Sequence, residues 1–91
     1  MKKSSPYAIA INLKRREVED AHDIYLDKRV EYLRVLEISI ERVLNGMSES
    51  WNRDIVNVKY GDMLEAYIKY LRLKEQLNIL IWNDKARNTY E

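Results

Sequence analysis

Cysteine and phenylalanine are absent from this 91-residue chain, which holds only two glycines, one proline and one histidine. Without cysteine there is no disulfide framework and no thiolate site for zinc or an iron–sulfur cluster. With His22 as the only histidine, an all-protein transition-metal site is not expected, and the chain is assigned no cofactor and no metal. A charge excess of one sign is also lacking. Sixteen basic residues stand against 15 acidic ones, so no global field draws the protein to nucleic acid or to an anionic membrane. No apolar run approaches the ~20 residues needed to cross a bilayer. The opening, Lys2-Lys3 followed by Tyr7 to Leu13, imitates a signal peptide, but Asn12 interrupts the apolar run and Lys14-Arg15-Arg16 ends it. No small-residue cleavage site follows. The segment reads as a helix entry, and the protein as cytoplasmic with no membrane partner.

What remains suits helices. The chain is 34% charged and 46% hydrophobic, with a mean hydropathy of −0.55, the composition of long amphipathic helices with solvated faces. Its length makes one domain, residues 1–91. Small chains without disulfides or metals depend on well-packed helices or on oligomerisation. Lys, Ile, Asn and Tyr are frequent, as in proteins of AT-rich genomes; short chains of that kind often come from phages or mobile elements.

Ser4-Ser5-Pro6 is the first helix signal. Ser5 can be the N-cap, and Pro6 fits the first helical position because its missing N–H would be unpaired there anyway. Apolar residues then step by threes and fours: Leu26, Val30, Leu33, Leu36, Ile40, Val43 and Met47. A second stripe, Ile11, Val18, Tyr25 and Tyr32, recurs every seventh residue beside it. Asn45-Gly46 is a helix stop. The first helix is expected over about 6–45, with a possible break where Asp20 to Asp23 could cap a fresh helix.

Trp51, Ile55 and Val58 predict a short helix over about 50–60, with Ser50 as cap and Gly61 beyond its end. The alternation of Val56, Val58 and Tyr60 with polar residues is the competing strand signal, which would have nothing to pair with. Asp62 with Glu65 forms a capping-box pattern that opens the last helix, about 62–85. Its seam is Met63, Ala66, Tyr70, Leu73, Leu77 and Leu80, widened by Tyr67 and Ile81. Residues 88–91 read as a disordered tail. The fold class is all-α: a long helical hairpin with a short intervening helix, a coiled-coil-like bundle completed by dimerisation or by a partner.

Length carries the functional expectation. The first helix would run about 60 Å, whereas a compact domain of this size is roughly 30 Å across. Part of it must bend or be covered by another molecule. Leu64, Ile68 and Leu71 point away from the last helix's seam, and Trp82 extends their line. With Trp51 they form the candidate partner interface, unless the short helix covers them within one subunit. Tyr and Trp, seven and two in number, favour an interface because they are apolar with a polar handle.

Catalytic signatures are sparse. Asp20, His22 and Asp23 lack a second histidine and a phosphate loop, and no strained serine elbow is present. Arg16 and His22, with five residues between them, resemble the Arg-x(4–6)-His signature of HEPN ribonucleases. That resemblance implies a helix-borne pair acting at the RNA backbone across a dimer. It covers seven residues, and Glu17 replaces the polar residue that commonly follows the arginine. The preferred reading is a solvated helix surface and no enzyme activity. Lys14, Arg15 and Arg16 are candidate nucleic-acid contacts, but Glu17, Glu19, Asp20 and Asp23 offset them, so nucleic acid is not the expected main ligand.

The sequence therefore points to a small non-enzymatic protein–protein interaction module, in its finer form a phage- or mobile-element-type regulator or inhibitor that binds a host or defence protein. Its partners are expected to be another protein, itself as a homodimer, or both. A nucleic-acid-binding regulator using Lys14–Arg16 is the alternative, and a HEPN-like ribonuclease the third reading.

Overall fold

The computed structural model describes residues 6–47 and 49–90, without the side chains of 49–51 and 88–90. Two helices account for nearly all of it: α1, Pro6–Leu44, and α2, Glu49–Tyr90. The chain is the expected all-α hairpin. Pro6, the first described residue, is already helical in α1; the proposed cap, Ser5, lies outside the described residues.

The stop at Asn45-Gly46 has a specific geometry. Gly46 has φ +88°, a conformation that costs a residue with a Cβ. Its N–H donates to the Val43 carbonyl at 3.0 Å, and the Met47 N–H donates to the Arg42 carbonyl at 3.0 Å. This pair of bonds is the Schellman motif, and it satisfies carbonyls that the helix end would leave open.

Three boundary expectations are corrected. α1 runs unbroken through Asp20–Asp23. The 50–60 segment is helical but not separate: α2 begins at Glu49 and passes straight through Ser50, Gly61 and Asp62 to Tyr90, so neither Ser50 nor Asp62 starts a helix. Residues 88–90, expected to be disordered, form its last turn. The cause is tertiary. A helical glycine costs about 1 kcal/mol, whereas contacts with α1 on both sides of Gly61, Tyr60 on Tyr32 and Tyr67 on Tyr25, hold the backbone helical across it.

The ring pairs fix the topology. Tyr32–Tyr60, Tyr25–Tyr67 and His22–Tyr70 lie 5.4, 5.2 and 5.3 Å apart, so the helices are antiparallel and in register along their length. The hairpin is a plate of 70 × 21 × 12 Å with a radius of gyration of 20.4 Å. A compact chain of this length would have about 12 Å. The thinnest dimension is one helix thick.

The seam of α2 is the one its sequence indicates, with Met63, Ala66, Tyr70, Leu73, Leu77 and Leu80 half-buried. The seam of α1 is not. It is the seven-residue stripe Ile11, Val18, Tyr25 and Tyr32, joined by Lys14, Ala21, Lys28 and Val35 and ending at Ser39. The richer stripe is exposed at Leu26, Val30, Leu33, Ile40, Val43 and Met47; only Leu36 is half-buried. The leucine stripe starts at Leu26, and zipping on it would leave the first five turns of α1 unpaired. The heptad stripe spans the whole helix, and its Ala21 lets α2 approach closely.

Candidate interaction surface

Each helix sets its seam toward the other, so the residues flanking the seam decide what the two broad faces of the plate carry. In a heptad seam, the positions on either side stand on opposite faces. Contacts anchor the assignment. On one face, Tyr67 and Tyr60 of α2 lie against Tyr25 and Tyr32 of α1. On the other, Ile24 and Ala21 line a depression with Lys69 and Leu73, and Ile38 lines one with Ile55.

The first face has an aromatic midline. His22–Tyr70, Tyr25–Tyr67 and Tyr32–Tyr60 follow one another along it, and Lys74 caps the row with its ammonium 5.8 Å from the Tyr70 ring centre. Helical spacing flanks this line with Leu26, Leu33 and Ile40 of α1 and with Leu64 and Leu71 of α2, all exposed. Apolar side chains from both helices thus merge into one surface over the half of the plate nearest the turn.

The second face has an ionic midline. Lys14 Nζ lies 2.8 Å from Glu17 Oε2 and donates to Gln76 Oε1 across the hairpin at 3.1 Å. Glu31 lies between Lys28 at 3.8 Å and Lys59 of α2 at 3.6 Å. These pairs are partly exposed, so each contributes at most about 1 kcal/mol. Their position matters more than their energy: the lysines in the α1 seam turn their ends toward this face. Charge is distributed differently too. Arg15, Arg29, Lys74 and Lys85 share the aromatic face with Glu19 alone as acid, whereas the ionic face mixes the signs, with Lys28, Lys69 and Arg72 beside Asp62 and Glu65. A near-neutral composition therefore conceals a two-faced plate.

Compared with family models, with curated proteins and with solved structures, the chain shows no significant match.

The candidate interface residues divide into groups. Leu64 and Leu71 lie on the aromatic face. Ile68, 47% exposed, and Trp82, 69% exposed, lie on the outer edge of α2. Trp51 sits in the first turn of α2, its side chain outside the description. No short helix covers this line, because the residues proposed for that helix belong to α2 itself. The residues missed from the candidate interface are Leu26, Leu33 and Ile40, which read from sequence as core, and Tyr60 and Tyr67.

The basic run is dispersed. Lys14 is in the seam and paired on the ionic face, Arg15 is on the aromatic face, and Arg16 is on the outer edge of α1. Three consecutive helical residues cannot share a face. Arg16 and His22 are likewise about 9 Å apart along the helix, with His22 turned against Tyr70 and its Nδ1 3.7 Å from Asp23. Among the described residues, no cluster of three metal-ligating side chains occurs, and no helix is long and apolar enough to cross a membrane.

Proposed function

We propose that this chain is a non-enzymatic protein–protein interaction module whose working surface is the leucine–tyrosine face of the plate. One observation carries the reading: Ile11 and Ala21, 8% and 4% exposed, are the buried apolar residues among those described, while large apolar side chains of both helices stand open. Soluble monomers rarely keep contiguous apolar patches beyond a few hundred Å². The accessible surface is 7446 Å², against about 5,600 Å² for a compact monomer of this mass. The excess of about 1,800 Å² is surface that the extended plate leaves open and a compact fold would cover.

In its finer form the proposal is a small regulator or inhibitor that occupies a partner's surface, as a phage or mobile-element protein would act on a host or defence protein; composition supports that version. The test is affinity capture from the native host, with mass spectrometry, by three forms of the chain. Leu64→Asp with Leu71→Asp should lose partners retained by the wild type and by Val58→Asp with Ile79→Asp, two exposed positions off the leucine–tyrosine face. Equal capture by all three would remove this face from the reading.

A nucleic-acid-binding regulator is the second reading, and one observation favours it: Arg15, Arg29, Lys74 and Lys85 share a face with tyrosines that bases could stack on. Salt-sensitive binding of single-stranded RNA or DNA lost on Arg15→Ala with Lys74→Ala would promote it.

A further inference from the structure

The apolar and basic parts of the leucine–tyrosine face are separated along its length. From Leu26 to Met47 on α1 the flanking positions hold aliphatic residues except for Arg29, and on α2 up to Leu71 they hold Leu64 and Leu71 with Asn57 and Arg53 nearer the turn; the aromatic midline lies between them. Toward the open end the same positions hold Arg15, Glu19 and His22 on α1 and Lys74, Asn78 and Lys85 on α2. An occupant that covers the apolar half need not touch the basic half.

We propose that this occupant is a second copy of the chain, laid face to face and antiparallel so that the two turn halves overlap and the two basic ends point apart. The proposal rests on the interaction reading above and specifies the partner. Two arguments support it. The first is area. If each copy covers half of its excess surface, about 900 Å², the pair buries about 1,800 Å² in total, within the range of stable specific interfaces.

The second argument is symmetry and charge. A two-fold interface places the same patch on itself. A parallel pair, turn on turn, would lay α1 of one copy over α2 of the other and set Arg15 against the Lys74 region of its partner. An antiparallel pair, with its axis near Leu33 and Tyr60, superposes the leucine-rich halves and carries Arg15, Lys74 and Lys85 of the two copies away from each other, leaving Arg29 and Arg53 as the basic residues of the overlap. The product is a central four-helix bundle from which two hairpin ends project.

The test combines light scattering, small-angle X-ray scattering and single-cysteine cross-linking, for which the cysteine-free chain is ready. The expected results are a mass twice 11.0 kDa and a greatest dimension of about 100 Å, well beyond the 70 Å of the single plate. Leu33→Cys should join its own equivalent through a short bismaleimide, and Ile81→Cys, toward the open end, should not. Leu33→Glu with Leu64→Glu should give a helical monomer, and Val58→Glu should remain a dimer. A dimer no longer than the plate that also cross-links at Ile81→Cys would overturn the antiparallel arrangement. An extended wild-type monomer with a radius of gyration near 20.4 Å would overturn the second copy and leave the interaction reading standing. A monomer collapsed to about 12 Å would overturn both. Should the double glutamate variant unfold, the wild-type mass and the cross-linking pattern still decide.

Discussion

Ala21 and Leu33 exchange the roles that their side chains suggest, and a pair of substitutions reads this out. Ala21 is 4% exposed in the hairpin seam, on the groove it lines with Leu73. Replacing it with leucine adds three carbons where the helices meet closely, and such overpacking costs about 1–3 kcal/mol. Leu33 is 48% exposed. Full burial of a leucine stabilises by about 1.5–3 kcal/mol, so roughly half of that, near 1 kcal/mol, is at stake within one chain. Alanine's better helix propensity offsets part of the loss. Urea unfolding followed by circular dichroism should therefore rank Ala21→Leu as the more damaging change when the protein is dilute. At high concentration Leu33→Ala should become worse, because covering this side chain in an oligomer adds a stabilisation that scales with mass action. If the leucine stripe formed the hairpin seam, the order would reverse: Leu33→Ala would cost about 2–5 kcal/mol at every concentration, and Ala21→Leu almost nothing. That reversal would refute the assignment of the seam.

The two glycines should respond in opposite directions. Gly61 is helical with open space where a Cβ would go, so Gly61→Ala should raise stability by about 0.5–1 kcal/mol. Gly46→Ala should lower it by about 1 kcal/mol, because the Cβ opposes the φ of +88° at that position; both are read from urea midpoints. Ile68→Asp should keep its helicity and nearly all of its melting temperature, since an edge residue 47% exposed buries no carboxylate. Unfolding of Ile68→Asp would mean that something covers this edge in the single chain.

Helices were legible wherever local chemistry settles the matter. Asn45-Gly46 marks the end of α1, and the Met63-to-Leu80 spacing the seam of α2. Gly61 and Asp62 misled because their local signal, a stop followed by a cap, is weaker than the aromatic contacts on either side. Ser50 misled for the same reason. The stripe of α1 is a different kind of problem. Leu26 to Met47 and Ile11 to Tyr32 both have helical spacing, and counting apolar side chains favours the first. What decides is that the partner helix is equally long, a property of the whole hairpin that no window on α1 contains. The outward set was therefore only half readable. Leu64 and Leu71 could be found as residues off the α2 seam, whereas Leu26 and Leu33 could join them only once the α1 seam was known. The dispersal of Lys14, Arg15 and Arg16 follows from helix geometry alone.

Hydroxyl-radical footprinting of the purified protein at high micromolar concentration tests the central claim, that the leucine–tyrosine face is the one a second copy of the chain covers. In the single chain Leu26, Leu33, Leu64 and Tyr67 are exposed, as are Val58, Ile79 and Trp82 outside that face. With the face docked on a second copy, the first four should react markedly more slowly than their exposure in one chain implies and speed up on dilution. Val58, Ile79 and Trp82 should react at the rates of exposed side chains at every concentration. Reaction of both groups at the same exposed rates, unchanged by dilution, would contradict the account.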